Sequence, residues 1–158
     1  MASSTNKKVQ IWRFDRDLLS GFVNPLTYLG AAGVELLSLS GTVSVVPYGD
    51  IKRVHFVKEF DPSGKLPTRN SFQTRPKMDG LWVRLRFRDG EALEGVLPNN
   101  LLQLEPHGFT IVPPDYSYNN QRIFVPKVAL AEIQVLGVVG SPLHQKAKPV
   151  KNQIGLFE

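Results

Sequence analysis

The chain has no cysteine, and this absence excludes disulfide bridges, thiolate zinc sites and cysteine nucleophiles. No segment approaches the ~20 consecutive apolar residues that a membrane-spanning helix requires, so we expect no association with a membrane. The opening residues, MASSTNKKVQIW, carry lysines without a following apolar run and do not resemble a secretory signal. Together these absences predict a cytoplasmic protein.

Catalytic constellations are lacking as well. The histidines are isolated and show no metal-ligand spacing; they are His55, His107 and His144. Acidic residues come in two close pairs, both in or beside predicted hairpin turns, where acidic side chains are expected for turn formation; the pairs are Asp15 with Asp17 and Glu91 with Glu94. We therefore predict a non-enzymatic protein without a metal or other cofactor.

What the chain does have is the composition of a folded domain. Of its 158 residues 42% are apolar and 21% charged, which is typical of globular proteins. The net charge is +5, from 19 basic and 14 acidic residues. This bias favours acidic partners by electrostatic steering without identifying one.

Two segments carry the same order of signals. VQIWRFDRDLLSGFV, Val9 to Val23, and VRLRFRDGEALEGVL, Val83 to Leu97, each contain an alternating run, a charged turn and a leucine-containing run. Gly21 and Gly95 correspond. Alternation of apolar and polar residues predicts a half-buried strand, and Asp-Gly in the second segment predicts a tight hairpin.

The correspondence continues downstream. GVELLSL, residues 33–39, parallels GFTIVPP, residues 108–114, and residues 44–57 parallel residues 123–136. The matched positions of the last pair are Val46-Pro47 with Val125-Pro126, Ile51 with Leu130, Val54 with Ile133, and Phe56 with Val135. Several elements in one order predict a tandem duplication.

The repeat divides the chain into four parts. We predict a first β unit at 8–60, a linker or long loop at 61–80, a second β unit at 81–140 and a flexible tail at 141–158. A unit of ~50 residues buries too little surface to be stable alone, and closure into a small barrel removes exposed edges. We therefore predict an all-β protein of two five-stranded small barrels packed as a pseudo-dimer.

The second copy resembles the Sm-like small barrel, the family of the Lsm proteins and Hfq. The resemblance lies in VRLRFRDGEALEGVLPNNLLQLEPHGFTIV and RIFVPKVALAEIQVLG, in which the last two strands are separated by a very tight turn. It implies an Sm-like fold, RNA binding and assembly into rings through strand edges. The chain departs from the family at that turn, where it has Pro126-Lys127-Val128, so no RNA contact is carried over to a particular residue.

Basic side chains suggest a nucleic-acid surface. Alternation places arginines on one face of a predicted strand, and further cations precede it or its counterpart in the first copy; the candidate residues are Arg84, Arg86, Arg88, Arg75, Lys77, Arg13 and Arg16. Such a stripe predicts phosphate contacts with single-stranded RNA or DNA. The alternative is an ordinary solvated strand face, with the arginines offset by Asp89, Glu91 and Glu94.

The chain ends in QIGLFE, after a polar and basic segment. This ending resembles the short sliding-clamp-binding peptide of bacterial replication and repair proteins: glutamine, an aliphatic residue, a small or polar residue, leucine and phenylalanine. The resemblance implies a partner-binding role for Gln153, Ile154, Leu156 and Phe157. The alternative is that the tail docks on its own domain or a neighbour. An adaptor that recruits a partner and a structural module that forms homo-oligomers therefore remain open besides nucleic-acid binding.

Overall fold

The structure, a computed structural model, describes residues 6–15, 17–61, 69–114 and 120–140. These residues form ten β-strands and three single turns of 310 helix, with no α-helix among them, which confirms the all-β prediction. The strands are β1 Lys7–Arg13, β2 Leu19–Val23, β3 Gly33–Ser38, β4 Val43–Pro47, β5 Ile51–Val57, β6 Gly80–Phe87, β7 Ala92–Leu97, β8 Gly108–Ile111, β9 Asn120–Pro126 and β10 Leu130–Val139. The 310 turns are Tyr48–Asp50, Leu101–Gln103 and Lys127–Ala129.

The strands form two antiparallel sheets. The larger has seven strands in the order β4-β3-β2-β1-β5-β9-β8, and the smaller has three in the order β10-β6-β7. A bridge between Val96 and Val112 links β7 to the end of β8, with backbone hydrogen bonds of 3.0 Å in both directions. The second half of the chain is therefore divided between the two sheets.

The same strand order occurs in both halves. If the strands are numbered 1 to 5 within each half, the first half has the spatial order 4-3-2-1-5, which is β4-β3-β2-β1-β5. The second half runs β9-β8, then through the bridge to β7, then β6 and β10, which is the same sequence of positions. The predicted bounds of the two domains remain a prediction, because strands of both halves share one sheet.

The prediction of two closed barrels is wrong, because neither sheet closes on itself. The fifth strand of the first half, β5, pairs with β1 on one side and with β9 of the second half on the other. In a closed barrel, the second edge of β5 would pair with a strand of its own half. Here that edge pairs with β9 of the other half. In the second half the contact of β7 with β8 shrinks to one bridge, which leaves β10-β6-β7 as a separate sheet.

The predicted hairpin of the second half is confirmed. In β6, Val83, Leu85 and Phe87 are buried while the intervening Arg84 and Arg86 are exposed. The turn is closed by a 2.7 Å hydrogen bond from the Phe87 amide to the Glu91 carbonyl, and Gly90 has a φ of 95°. A left-handed backbone is tolerated by glycine, which explains the Asp-Gly pair at this turn.

Matched turns precede the last strand of each half. Pro47 and Pro126 have nearly equal dihedrals, φ −60° and ψ 141° against φ −64° and ψ 145°, and each begins a single 310 turn. Pro47 pairs with Gly33, and Pro126 pairs with Gly108. A side chain on either glycine would collide with the backbone of the paired strand. These two positions therefore need glycine for close strand approach.

Strand β9 forms a common wall between two hydrophobic cores. Ile123 and Val125 lie in the core of the second half, whereas Phe124 points to the other face and lies in the core of the first half. Conversely, Phe14 belongs to the first half of the chain but packs against the core of the second half. Successive side chains of a strand point to opposite faces, so one strand serves both cores.

Candidate nucleic-acid interface

The arginines of β6 lie on a face that carries both signs of charge. The Arg84 guanidinium lies 3.5 Å from the Glu94 carboxylate, and Arg86 Nε donates to Glu132 Oε1 at 3.1 Å. Glu94 is on β7 and Glu132 on β10, so the acids flank β6 from both sides. The geometry is that of cross-strand ion pairs, which offset the positive charge of this face.

Arg88 does not continue the stripe. It follows the last residue of β6, and its guanidinium donates to the carbonyl oxygens of Val128 and Gly49, both at 2.9 Å. The guanidinium carbon also lies 3.9 Å from the centroid of the Phe14 ring. Gly49 and Val128 belong to the matched 310 turns of the two halves. Arg88 therefore joins those turns.

Arg13 is also used within its own loop. Its Nε and Nη2 donate to the carbonyl oxygen of Asp17 at 3.1 and 3.0 Å, across the β1–β2 turn. Arg16 and the tail residues Gln153, Ile154, Leu156 and Phe157 lie outside the described residues. The nucleic-acid and partner roles of all these residues stay predictions.

The acids of the β6–β7 hairpin are held by the other half of the molecule. Lys52 Nζ lies 2.7 Å from Asp89 Oδ2 and 2.6 Å from Glu91 Oε1. Arg53, which is fully buried, donates from Nη2 to Glu91 Oε1 at 2.9 Å. We call these four residues the joint cluster. Asp89 and Glu91 therefore pair with Lys52 and Arg53 and not with the arginines of β6. Of the three acids in the alternative of a solvated face, Glu94 pairs with Arg84.

Electrostatics keep the joint cluster ionised. Burial alone would raise the pKa of Glu91, but the hydrogen bond from Lys52 and the charge of Arg53 outweigh it and hold the pKa below its ordinary value. Burial also raises the pKa of Asp89, but the hydrogen bonds from Lys52 and from the Glu91 amide outweigh it, so the pKa of Asp89 is lowered overall. Both acids are therefore carboxylates at neutral pH.

A groove of about 230 Å³ with three basic residues lies along the segment before β6. We call it the basic groove. No acidic residue lines it; the lining residues are Arg69, Phe72, Gln73, Thr74, Arg75, Pro76, Lys77, Met78 and Pro114. Arg69, Arg75 and Lys77 are exposed, whereas Phe72 is half-buried. Two of the predicted residues, Arg75 and Lys77, are thus brought together with a cation and an aromatic ring that the sequence analysis did not select.

Glu94 fixes one end of this groove. Its amide donates to the Asn70 carbonyl at 2.8 Å, and its Oε1 accepts from the Phe72 amide and from Trp82 Nε1, both at 3.1 Å. Phe72 also meets the Trp82 ring edge to face, with centroids 6.5 Å apart. At the other wall, Arg75 Nη2 donates to the Val138 carbonyl at 2.6 Å. Asn70, Phe72 and Arg75, in the segment predicted as a linker or long loop, are therefore hydrogen-bonded to β7 and β10.

Glu94 lies beside the predicted hairpin turn but is not exposed as a turn residue would be. It is only 8% exposed and lies inside β7, facing Trp82 and Phe72. The signal for the groove is present in the sequence as positive charge and proline in residues 61–80. That composition predicts a linker or long loop and does not indicate a groove, because a groove wall without regular strands leaves no periodicity to detect.

A larger cavity of about 430 Å³ lies where the two halves meet, beside β5 and β9. Tyr28 and Phe56 of the first half face Ile111 of the second across it, and the Arg122 guanidinium lies 5.3 Å from the Phe56 ring centroid. Burial raises the pKa of Tyr28 above its usual range, so its hydroxyl stays protonated. This cavity offers mainly apolar contacts.

The described residues contain neither a cluster of metal ligands nor a helix that could cross a membrane. Within them, no three histidine, aspartate or glutamate side chains come close enough together to hold a metal ion. Their helical segments include none with the length and apolar character to cross a bilayer.

The family relationship rests on a match that covers most of the chain. A family described as "Family of unknown function (DUF6982)" matches residues 5–137. The chain belongs to the DUF6982 family. No curated protein and no solved structure matches it. The DUF6982 match runs from before β1 into β10 and so includes both halves. The description of the family names no activity.

Proposed function

We propose that this DUF6982 protein is a non-enzymatic, cytoplasmic module that binds single-stranded nucleic acid in the basic groove. The observation that carries the proposal is the groove itself, where Arg69, Arg75 and Lys77 surround Phe72 without an acidic residue in the lining. The arginines of β6 are a less suitable surface, because Glu94 and Glu132 neutralise them.

The groove chemistry suits an unpaired strand. Cations that follow a phosphate backbone release its condensed counterions, which supplies affinity without sequence preference. A half-buried aromatic ring such as Phe72 offers a stacking surface, and stacking contributes about 1–3 kcal/mol per base. Bases of a duplex are stacked on one another and cannot lie on a ring inside a narrow groove. A single strand is therefore the fitting ligand.

An Sm-like relationship is part of the same proposal. It is supported by the order of elements in the second half: a strand and tight turn, a strand with Gly95, a third strand, and two last strands separated by the single turn Lys127–Ala129. The recurrence of the order in the first half adds support. The open sheets are a departure from the closed barrel that the resemblance implies.

Fluorescence anisotropy with labelled single-stranded RNA and DNA of mixed sequence tests the proposal. We expect salt-dependent binding, and for Arg69→Gln with Lys77→Gln we expect at least tenfold weaker binding. The slope of log K against log salt should fall by about 1.4, since each phosphate contact with a single strand contributes about 0.7. Arg75 is kept, because it also holds the Val138 carbonyl.

Arg84→Gln with Arg86→Gln is the matched control, because it removes the same number of charges outside the groove. This variant should bind like the unchanged protein. If it loses affinity while the groove variant does not, the β6 face is the binding surface and the groove assignment is wrong. If the unchanged protein binds no better than serum albumin at low salt, nucleic-acid binding is excluded.

The tail motif supports a second candidate function, recruitment of a partner of the sliding-clamp type. Burial of a leucine and a phenylalanine contributes roughly 1.5–3 kcal/mol each before ordering costs, or about 3–6 kcal/mol together. A micromolar contact requires about 8 kcal/mol, so Gln153 and Ile154 have to supply the remainder. Changing Leu156 and Phe157 to alanine should abolish binding to immobilised clamp and leave the melting temperature unchanged. A lowered melting temperature would instead indicate that the tail docks on its own domain.

A further inference from the structure

Two short turns on the surface of the molecule have the same construction. One lies between β2 and β3 and the other between β7 and β8, so they are the corresponding connections of the two halves. In the first turn the Leu26 amide donates to Asn24 Oδ1 at 2.9 Å. In the second turn the Leu102 amide donates to Asn100 Oδ1 at 3.0 Å. The next amide in each turn donates to the carbonyl oxygen of the same asparagine, at 3.1 and 3.0 Å. We call residues 24–27 and residues 100–103 the leucine turns.

The leucines of these turns are almost fully exposed. Leu26 is 89% exposed, Leu101 82% and Leu102 94%. The chain around them has no charge, since residues 24–32 and residues 98–104 contain no lysine, arginine, aspartate or glutamate. An isolated exposed leucine is ordinary, but three of them on two uncharged turns form an apolar surface that is typical of a protein or membrane contact.

The leucine turns and the basic groove adjoin one another. Pro25 of the first turn and Gln103 of the second both line the cavity of about 430 Å³ between the halves. Met78 lines that cavity and also the basic groove. The groove presents exposed cations and has no acidic residue in its lining. An apolar surface therefore lies next to a positively charged one.

We propose that the leucine turns insert into the surface of an anionic lipid bilayer, with the basic groove against the lipid headgroups. Peripheral membrane binding becomes stable when an apolar insertion is combined with a basic patch. Cations close to an anionic leaflet are attracted to it, and the attraction falls as salt rises. Insertion of two turns at the bilayer surface needs no spanning segment. We therefore limit the expectation of no membrane association to spanning segments.

The hydrogen bonds within the leucine turns favour a bilayer over a protein as the partner. An amide that enters lipid without a hydrogen-bond partner is costly, because the bilayer core contains no water or other acceptor for it. The amides of Leu26 and Leu102 already donate within their own turns. Insertion therefore removes the leucine side chains from water without leaving these two donors unpaired. A partner protein could supply acceptors of its own and would not require this internal pairing.

Co-sedimentation of the full chain with vesicles of phosphatidylglycerol and phosphatidylcholine in equal parts tests the proposal. We expect binding at low salt. For the variant with Leu26→Ser, Leu101→Ser and Leu102→Ser we expect a roughly tenfold higher lipid concentration at half-binding, because the apolar insertion is lost. The matched control changes three exposed apolar residues outside the leucine turns and should bind like the unchanged protein; its changes are Leu39→Ser, Val43→Ser and Val128→Ser.

Three results of this experiment would overturn the proposal: no binding of the unchanged protein to these vesicles, unchanged binding of the leucine variant, or an equal loss in the control. The first result is the one expected if the leucine turns contact a protein. Far-ultraviolet circular dichroism verifies that both variants fold. The leucine variant keeps Arg69 and Lys77, so its affinity for single-stranded RNA should be unchanged. Failure of lipid binding and failure of nucleic-acid binding are thereby measured separately.

Single cysteines test the insertion directly, since the chain has no cysteine of its own. An environment-sensitive dye on Leu26→Cys or on Leu102→Cys should emit at shorter wavelength when the vesicles are added. The same dye on Leu39→Cys, in the turn between β3 and β4, should not change its emission. Equal shifts at all three positions, or no shift at the first two, would contradict insertion of the leucine turns.

Discussion

The inner joint, where β5 pairs with β9, and the outer edges, β4 and β10, use corresponding strands but differ in charge. At the inner joint, Lys52 and Arg53 of β5 bind the hairpin acids Asp89 and Glu91 of the other half. The alignment places Ala131 and Glu132 at the same positions of β10. Glu132 is already paired with Arg86 of its own half. The outer edges therefore carry apolar side chains like those of the joint but not its ion pairs.

The difference predicts how each region responds when its contacts are lost. At the inner joint Arg53 is fully buried and donates to Glu91 of the other half, so separation of the halves takes a charged partner from a buried cation. The described residues of β4 and β10 include no buried charge, and their large apolar side chains, such as Val45 and Val135, already contact solvent. We expect the two halves to unfold as one unit.

The largest expected effect comes from removal of an apolar side chain at the inner joint. Phe124→Ala should lower the free energy of unfolding by about 3–5 kcal/mol, because Phe124 is fully buried in the core of the first half. The equivalent outer change, Val45→Ala, should cost less than ~0.5 kcal/mol, because Val45 is 50% exposed. Urea unfolding measures both. Equal losses would show that the two positions do not differ.

A smaller loss is expected when the joint cluster is broken. Glu91→Gln keeps the shape of the side chain but removes the charge that Lys52 and Arg53 share, and should cost about 1.5–3 kcal/mol, the range for hydrogen bonds to charged groups. Asp17→Asn, in the corresponding hairpin of the first half, is the control and should be nearly neutral. Chemical unfolding decides between them. A neutral Glu91→Gln would mean that the cluster does not stabilise the joint.

The hairpin that carries the two acids depends on one backbone conformation. Gly90→Ala should cost about 1–2 kcal/mol, since Gly90 has a φ of 95° and a side chain there is strained although the space is open. Gly49→Ala is a suitable control, because its surroundings are equally open and its backbone forms a 310 turn. Thermal unfolding should show a lower midpoint only for Gly90→Ala.

The smallest effect is a dependence on acid. Because the pKa values of Asp89 and Glu91 are lowered by folding, their contribution is complete above the ordinary values of 3.8 and 4.5 and is lost as the pH falls below them. The free energy of unfolding should stay constant for these groups from neutral pH to about 5 and decline below that. Urea titrations at several pH values should give a shallower decline for Glu91→Gln. Parallel curves would exclude the cluster as the source.

Local patterns in the sequence predicted the local structure well. The alternation in Val83 to Phe87, the Asp-Gly turn and the matched Val-Pro pairs before β5 and β10 all involve neighbouring residues, whose geometry follows from backbone chemistry.

The sequence could not predict which strand edges would meet. Pairing of β5 with β9 joins residues far apart in the chain, and the same apolar pattern is compatible with closure within one half. The basic groove shows the same limit, since Glu94 holds Phe72 and Asn70 through backbone groups that leave no signature in residue type. The sequence shows which residues are charged. It does not show which ion pairs they form, because those depend on the tertiary arrangement.

The position of β9 also has a consequence for synthesis of the protein. During translation, β5 leaves the ribosome well before the strand that covers it, by several seconds at ~5–20 residues per second. Throughout that interval its edge, with Val54 and Phe56, lacks the neighbour it has in the finished sheet. An unpaired strand edge in a folding chain is prone to aggregation, and slow codons between residues 58 and 119 would prolong its exposure.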